Sequence, residues 1–273
     1  MNTEIMNINK KENVVFLTFK ELEKYDFLKH AVSTRHGGIS NSEKTSSMNL
    51  GLKTDDSVET VKENFRIFCN ATALNYNNIT LANQTHSTGI RIITKEDVGK
   101  GLHIQRDYND IDGIITNLKD VPLMIHTADC VPVIFADVKK QIIGAAHCGW
   151  KGTFESLSVK MAEKMKAKFN CRYEDIICGI GTAIGVCCYE VSEELYCKFK
   201  DRFCDFEEAF EIREEKYYLN LKLLNKLQLE GVGVPSRNIS VCDICTKCNS
   251  DELFSHRALG DGRGMIGTFV SLK

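Results

Sequence analysis

Two apolar runs rich in β-branched residues stand close together near the middle of the chain. They cover residues 131–135 and 142–146, and a charged turn separates them. This pattern predicts two neighbouring strands of a hairpin. In an antiparallel hairpin the start of one strand lies beside the end of the next, so Cys130 and His147 are expected at one edge of the sheet. A thiolate and an imidazole placed in this way can share a metal ion.

Strand and helix patterns alternate along the rest of the chain. Apolar runs predict further strands at residues 14–19, 31–34, 90–94, 114–116, 123–127, 176–180 and 266–270. Helical spacing of apolar residues predicts helices after Asp56 and over residues 154–169, 192–203 and 219–230. Asp56 and Glu59 resemble a capping box for the first helix, and Gly231 is expected to stop the last one. The predicted fold class is therefore α/β (α+β).

No feature of the sequence divides the chain into separate units. No internal repeat, low-complexity segment or linker rich in Pro, Gly or Ser separates two cores. Residues 1–273 are therefore predicted to form a single domain.

Composition and charge exclude several classes of protein. Apolar residues make up 43% of the chain and charged residues 26%, as in ordinary soluble proteins. A formal net charge of −2, with scattered basic residues, gives no electrostatic reason to expect a nucleic-acid partner. No apolar stretch approaches the roughly 20 residues that span a bilayer, and the first residues lack a hydrophobic signal run. We expect a cytoplasmic protein with no membrane partner.

The twelve cysteines are expected to be reduced thiols, because the chain is long and lacks a secretion signal. Most should be buried as small apolar side chains. Cys242, Cys245 and Cys248 form a C-x2-C-x2-C run, which begins a bacterial ferredoxin motif. The fourth ligand of that motif would fall on Glu252, which disfavours an iron–sulfur cluster unless cysteines from elsewhere complete the site.

A candidate metal site is formed by His86, Cys130 and His147, which come from different predicted strands. Catalytic zinc usually has three protein ligands and an open position for water or substrate, and this set suits such a site. Spacing alone does not select the triple, since the chain has seven histidines and twelve cysteines. The same residues also suit a cysteine hydrolase, with Cys130 as nucleophile and a histidine as base.

Four polar residues near the predicted strand ends are candidates for substrate binding or proton transfer. Arg35 precedes a glycine turn and a long polar loop that ends near Asn49. The guanidinium of Arg35 can bind an anion or form a surface ion pair. Lys151 lies in the turn after the second strand of the hairpin. Asp129 can orient a metal-bound imidazole, exchange a proton or cap a turn.

Eight short motifs occur in one order along the chain: STRHGG, NLG, NQTHS, DGIIT, TADCVPVIF, AHCGWKG, GTAIGVCCYEV and CTKCNSDELFSHR. Together they resemble the family first described as multicopper polyphenol oxidases, or laccases, and now regarded as zinc-dependent purine nucleoside phosphorylases. The resemblance runs from Arg35 to the C-terminal strand. It implies a layered α/β/β/α fold with mixed sheets, similar to the cysteine-dependent catalytic domain of a bacterial toxin.

The resemblance also implies a ligand set and two activities. His86 in Q-x-H, Cys130 in A-D-C and His147 in H-x-G-W match the family's metal ligands. The implied reactions are phosphorolysis of adenosine, inosine, guanosine and S-methyl-5′-thioadenosine to free base and pentose 1-phosphate, and deamination of adenosine to inosine. Purine nucleosides and phosphate are the expected partners, zinc is the expected cofactor with copper as the alternative, and a homodimer is the expected assembly.

This chain departs from the common family pattern near the predicted site. Lys151 stands where relatives commonly have Arg, Cys148 replaces a small residue, and Thr182 and Val186 stand where Pro is common. Lysine keeps the positive charge but lacks the bidentate fork of arginine. Phosphate is expected to be held by Arg35 and Lys151, with Asp129 as a candidate general acid toward the departing purine.

Three other functions stay open at this point. A cysteine hydrolase would use the same residues without a metal. A laccase-like polyphenol oxidase would need several coppers with His-rich ligation, for which seven histidines are few. A non-enzymatic thiol-rich metal or redox protein is suggested by the cysteine content and by the C-terminal cysteine run. The amount and location of bound metal would separate these functions.

Overall fold

The computed structural model describes residues 1–273 and contains fifteen strands and six α-helices. The strands are β1 (Met6–Lys11), β2 (Val14–Phe19), β3 (Leu28–Ser33), β4 (Thr80–Leu81), β5 (Ile90–Ile92), β6 (Gly113–Thr116), β7 (Leu123–Thr127), β8 (Val131–Asp137), β9 (Ile142–Cys148), β10 (Ile176–Ile180), β11 (Glu190–Val191), β12 (Phe210–Arg213), β13 (Lys216–Leu219), β14 (Ile239–Val241) and β15 (Ile266–Leu272). The helices are α1 (Val58–Thr72), α2 (Trp150–Phe154), α3 (Leu157–Phe169), α4 (Glu193–Arg202), α5 (Leu221–Val232) and α6 (His256–Leu259). None of the helices is both long and apolar enough to cross a bilayer.

Two six-stranded mixed sheets and one small sheet form the framework. The first sheet has the order β1-β2-β3-β15-β7-β4, and the second has the order β14-β10-β8-β9-β6-β5. Strands β11, β13 and β12 form the small sheet. Most neighbours are antiparallel, but the pairs β4–β7, β5–β6 and β10–β14 are parallel. The parallel pairs lie at the sheet edges and receive crossover connections.

The hydrophobic residues divide into three cores, which define the layers. The first core lies between the two large sheets and includes Phe19 and Ile134. The second packs α3 and α5 on the outer face of the second sheet, through residues such as Met161. The third packs α1 on the first sheet, where Phe68 stacks against Phe269. The expected α/β/β/α layering is therefore confirmed.

Strand β8 shows why the central apolar run has no polar alternation. Successive side chains of a strand point to opposite faces. Ile134 and Ala136 face the core between the sheets, whereas Val133 and Phe135 face the helices. Because both faces are covered, every residue of β8 is buried. A continuous apolar run is the sequence signature of such a strand.

The predicted hairpin is confirmed and is longer than expected. Strands β8 and β9 pair antiparallel from Val131↔Cys148 to Asp137↔Ile142. Pro132 is the partner of His147, so the start of β8 lies beside the end of β9. The predicted strands at residues 14–19, 123–127 and 176–180 match β2, β7 and β10. The hairpin therefore delivers two candidate ligands to one sheet edge.

Two predicted helices have incorrect boundaries. The helix expected over residues 154–169 is two helices, because α2 ends at Phe154 and Ser156 adopts a left-handed conformation with φ of 56°. The last predicted helix passes through Gly231 and is capped by Gly233, whose φ of 108° suits glycine. In addition, Leu219 ends strand β13 and does not begin that helix.

The predicted cap of α1 also needs correction. The N-cap is Ser57, whose hydroxyl accepts a hydrogen bond from the backbone N–H of Thr60. The carboxylate of Asp56 instead accepts hydrogen bonds from Thr45 and Asn49 of the preceding polar loop. Asp56 therefore organises this loop and does not cap the helix.

His30 is buried in the first sheet, at the face that meets the second sheet. The backbone N–H of Phe19 donates a 2.8 Å hydrogen bond to Nε2 of His30, which must therefore be unprotonated. Burial lowers the pKa of His30 to about 4, although the nearby Glu23 opposes this shift. The imidazole is therefore neutral at physiological pH.

Candidate metal centre

Three side chains converge at the edge of the second sheet. Cys130 immediately precedes β8, His147 lies near the end of β9, and His86 lies in the loop between β4 and β5. The ligand atoms of these residues all lie within 4.8 Å of one another. The two imidazole rings are 4.8 Å apart between centroids and nearly perpendicular, at 65°. The structure thus brings together the triple selected from the sequence.

The loop that carries His86 is shaped by the buried carboxylate of Asp112. His86 has a left-handed backbone with φ of 61°, which is uncommon outside glycine. The backbone N–H groups of Thr85 (3.1 Å), His86 (3.1 Å) and Ser87 (2.8 Å) all donate to Asp112, and the Ser87 hydroxyl adds a fourth bond. Four donors on one carboxylate hold the unusual backbone in place.

Asp112 also positions the second histidine. The distance between Nδ1 of His147 and Oδ1 of Asp112 is 2.8 Å. A carboxylate at this position accepts the Nδ1–H proton and fixes the tautomer in which Nε2 is free to bind a metal. One residue therefore orients two of the three candidate ligands. This role of Asp112 was not predicted from the sequence, where its only signal is the acidic residue of the DGIIT motif.

The pKa shifts show that this cluster favours one extra positive charge. Burial alone would lower the pKa of His147, but the Cys130 thiolate and the Asp112 carboxylate raise it to about 9. Burial and the neighbouring His147 lower the pKa of His86. Burial opposes ionisation of Asp112, but hydrogen bonds from His147, Thr85 and Ser87 hold its pKa below the usual value. A metal ion held by the triple would displace such a proton and supply positive charge in its place.

The space between the ligands requires glycine at position 149. A Cβ atom on Gly149 would lie 2.9 Å from Nδ1 of His86 and 3.0 Å from Sγ of Cys130. Gly149 is also the N-cap of α2, with a φ of −61° that any residue can adopt. The requirement is therefore steric and comes from the ligand side chains alone.

Two cavities meet at the triple and share His86, Cys130 and Arg263. The first cavity has a volume of about 270 Å³ and a polar wall that includes Asn83, Gln84, Arg106 and His126. The second has a volume of about 400 Å³ and includes Trp150, Ile184, Tyr189 and Leu221. One cavity is therefore rich in hydrogen-bonding groups, and the other presents aromatic and aliphatic surface.

Three arginines not selected from the sequence contribute positive charge to the cavities, and one of them, Arg257, lines the second cavity. Arg106 lines the first cavity, where its Nη1 donates to the carbonyl of Ala82 at 2.5 Å. Arg263 lines both cavities, and its buried Nε has no hydrogen-bond partner. A buried donor without a partner is costly, so Arg263 is suited to receive an anionic group of a ligand.

Asp129 lies in the wall of the second cavity but does not contact either histidine through a hydrogen bond. Its Oδ1 accepts from the Thr246 hydroxyl at 2.5 Å, and its Oδ2 accepts from the backbone N–H of Arg257 at 2.6 Å. Asp129 has a left-handed backbone with φ of 94°. The carboxylate that orients an imidazole is Asp112, and Asp129 instead joins the C-terminal loops to the site.

The predicted phosphate-binding residues lie outside both cavities. The Arg35 guanidinium donates to the backbone carbonyls of Ser46 and Ser250 and belongs to a separate surface cavity. Asn49 is buried, and its Oδ1 accepts from two backbone N–H groups. Lys151 is exposed on α2, with Nζ 5.5 Å from the centre of the Trp150 ring. Phosphate binding by these three residues stays a prediction.

The sequence identifies the family to which this fold and centre belong. Residues 29–273 match the model of the family described as multi-copper polyphenol oxidoreductase laccase. The chain belongs to this family. The crystal structure of YlmD from Geobacillus stearothermophilus is similar, with a TM-score of 0.87, 28% identity, and coverage of 97% of this chain and 98% of that chain.

Relatives in this family carry two kinds of names. The chain is 33% identical to the purine nucleoside phosphorylase YlmD of Geobacillus stearothermophilus, covering 88% of this chain and 87% of the relative. It is 27% identical to adenosine deaminase RL5 from an unknown prokaryotic organism, covering 93% and 99%. It is 30% identical to the purine nucleoside phosphorylase LACC1 of Mus musculus over 89% of this chain but spans only 55% of that protein.

Proposed function

We propose that this protein is a zinc-dependent purine nucleoside phosphorylase that also deaminates adenosine, with both reactions at the centre formed by His86, Cys130 and His147. The observation that carries the proposal is the convergence of these ligand atoms within 4.8 Å where two cavities meet. The names of the relatives support the choice of nucleoside chemistry. Adenosine, inosine, guanosine and S-methyl-5′-thioadenosine are the proposed substrates.

Zinc fits the donor set of two imidazoles and one thiolate. Three protein ligands leave a fourth position open, which is the pattern of catalytic zinc. The bound ion acts as a Lewis acid and lowers the pKa of a coordinated water. Asp112 supports this use by orienting both histidines. Only two of the seven histidines belong to a group that could hold a metal, which favours a single ion over a multicopper centre.

The second cavity is the proposed nucleoside site. Trp150 and Tyr189 offer aromatic surface to a purine, and base–aromatic stacking contributes about 1–3 kcal/mol per base. Asp129 lies in the same cavity wall, with its carboxylate oriented by two hydrogen bonds. We assign Asp129 as the group that exchanges a proton with the purine when the glycosidic bond breaks.

The arginines between the cavities provide the proposed phosphate contacts. Phosphate is held best by guanidinium groups, which bind two oxygens at once. Arg263 has an unpaired buried Nε and lines both cavities, and Arg106 lines the first. Lys151 is near enough to lower the pKa of His86 and adds positive charge on the same side. Arg35 and Asn49 would need to act from outside the cavities.

A cysteine hydrolase is the second candidate, because Cys130, His147 and Asp112 have the order of a nucleophile, a base and an orienting carboxylate. The Cys130 thiolate contributes to the raised pKa of His147, and Asp112 accepts the opposite N–H of that ring. This is the arrangement of a thiolate–imidazolium pair. It would act without a metal, so the two candidates differ in metal content.

The test is chromatography of adenosine incubated with the purified protein, with and without phosphate, alongside metal analysis. We expect phosphate-dependent adenine and phosphate-independent inosine. Replacing Cys130 with alanine should abolish both products and remove one equivalent of bound ion. Cys204→Ala is the matched control, because Cys204 is an exposed cysteine outside the candidate metal centre.

Three results would contradict the proposal. Either activity surviving in Cys130→Ala at the wild-type rate would separate that reaction from the centre. A metal-free wild-type protein that leaves adenosine unchanged would support the cysteine hydrolase. Metal bound elsewhere, with no turnover of any nucleoside, would instead support a non-enzymatic metal or redox protein.

A further inference from the structure

A second group of potential metal ligands lies apart from the proposed catalytic centre. It consists of Cys187, Cys188, Cys245 and Cys248, whose Sγ atoms all lie within 4.8 Å of one another. The Sγ of Cys248 is 3.6 Å from that of Cys187 and 3.4 Å from that of Cys188. The structure separates Cys242, the first cysteine of the C-terminal run, from this group. Two of the four cysteines, Cys187 and Cys188, therefore come from a different part of the chain.

The sheet explains why cysteines so distant in sequence meet. Strands β10 and β14 are parallel neighbours, and the carboxyl ends of parallel strands lie at the same edge. The loop after β10 carries Cys187 and Cys188, and the loop after β14 carries Cys245 and Cys248. The pairing continues into the loops. Ala183 forms a parallel β-bridge with Cys245, and the N–H of Thr246 donates a hydrogen bond to the Ala183 carbonyl.

The spacing of the sulfur atoms suits a single ion. Four thiolates about 2.3 Å from a tetrahedral zinc ion lie about 3.8 Å from one another. The measured separations of 3.4 Å and 3.6 Å are close to this value. An iron–sulfur cluster places several atoms between its thiolates and needs wider spacing. A disulfide would require about 2.05 Å between two sulfurs, and all twelve cysteines are free.

The surroundings of Cys245 also favour a thiolate. The Gly185 N–H donates to the Sγ of Cys245 at 3.1 Å. The ammonium group of Lys222 is buried nearby, where it donates to the backbone carbonyls of Cys242 and Ile244. A backbone donor and a nearby cation stabilise negative charge on sulfur.

We propose that Cys187, Cys188, Cys245 and Cys248 bind a structural zinc ion at a second site, distinct from the proposed catalytic centre. Four thiolates close the coordination shell, as in structural zinc sites, and leave no position for substrate. The ion joins two loops that both contact Asp129. The Ile184 N–H donates to the Asp129 carbonyl, and the Thr246 hydroxyl donates to its carboxylate. The second zinc therefore holds one wall of the nucleoside cavity in position.

The first test needs no variant and reads each cysteine separately. The zinc-loaded protein is treated with iodoacetamide before and after removal of zinc by a chelator, and labelled sites are mapped by mass spectrometry. Cys187 and Cys248 are exposed, as is Cys204, which lies outside the group. We expect Cys204 to be labelled in both samples, but Cys187 and Cys248 only after zinc removal. Equal labelling of all three before chelation, or a disulfide at Cys248, would overturn the proposal.

The second test measures the zinc content of variants that each remove a ligand from only one of the two sites. We expect about two zinc ions per chain in the wild type, one in Cys130→Ala, one in Cys248→Ser and none in the double variant. Cys204→Ser should keep both ions. Loss of an ion in Cys248→Ser but not in Cys130→Ala would support the second site while contradicting the proposed function. An unchanged zinc content in Cys248→Ser would overturn the second site.

Discussion

Replacing Asp112 with asparagine tests whether one buried carboxylate organises the candidate metal centre. Oδ1 of Asp112 lies near the N–H of His86 and Nδ1 of His147, and Oδ2 accepts from Thr85 and Ser87. Asparagine has only one oxygen, so its NH₂ group must face one of these two sets of donors. If the NH₂ group faces His147, the N–H of His86 loses its acceptor; if it faces the loop, the N–H groups of Thr85 and Ser87 lose theirs. Each buried unsatisfied donor costs about 1–3 kcal/mol.

The two orientations of the asparagine have different consequences for the ligands. If the NH₂ group faces His147, it donates to Nδ1, and the ring proton moves to Nε2, where it blocks metal binding. If it faces the loop, the left-handed conformation of His86 loses its support from Thr85 and Ser87. Both outcomes weaken metal binding, and loss of such supporting groups typically lowers affinity by about 10–100-fold. We expect this loss, together with a lower free energy of unfolding.

Zinc affinity is measured by competition with a chromophoric chelator, and the free energy of unfolding by urea titration. Asp110→Asn is the matched control, because Asp110 is an exposed neighbour that accepts from the Thr85 hydroxyl. Its left-handed backbone, with φ of 53°, is tolerated by asparagine. If folded Asp112→Asn bound zinc as tightly as the control, Asp112 would not be the group that orients the ligands.

Two further predictions concern the steric and titration properties of single residues. In Gly149→Ala the new Cβ would lie 2.9 Å from Nδ1 of His86 and 3.0 Å from Sγ of Cys130. We therefore expect zinc affinity to fall by about tenfold, with little change in the urea midpoint of unfolding. Unchanged zinc affinity would show that the ligands have room to move. Because the pKa of His30 is about 4, the unfolded state takes up a proton below pH 6.5 that the folded state does not. This contribution to stability is present above pH 6.5 and is lost as pH falls toward 4, by about 2 kcal/mol between pH 7 and pH 5. In urea unfolding, His30→Gln should flatten the dependence of the free energy of unfolding on pH, whereas His103→Gln, at an exposed histidine, should leave it unchanged. Equal dependence on pH in the two variants would contradict this prediction.

The hairpin was predictable from the sequence because its determinants are local. β-branched apolar runs on both sides of a charged turn specify two paired strands, and antiparallel pairing then fixes which ends meet. Cys130 and His147 followed from this reasoning, His86 was added as a third candidate ligand, and the family resemblance then pointed to the same triple. The same reasoning could not locate the break in the helix at Ser156, because no residue type signals a left-handed serine.

The roles of Asp112 and of the second cysteine group were not predictable, because they depend on contacts between distant segments. An acidic residue before glycine usually indicates a turn, and nothing local shows that it accepts hydrogen bonds from residues 85–87 and from His147. The fourth cysteine ligand was sought near Glu252 by spacing. The structure instead places Cys187 and Cys188 beside Cys245 and Cys248, because the parallel pairing of β10 and β14 brings the two loops together.

Because the candidate centre lies between two cavities, separate segments of the chain shape the two sides from which ligands can enter. The polar wall comes mainly from residues 51–54, 82–84 and 106, and the aromatic wall from residues 150, 184, 189 and 221. Different segments of the chain therefore control each wall, while the hairpin and Asp112 control the ligands. Substitutions in one wall can diversify what enters from that side without disturbing the other wall or the ion. Apart from the residues that line both cavities, selection can thus act on the two sides of the candidate centre independently.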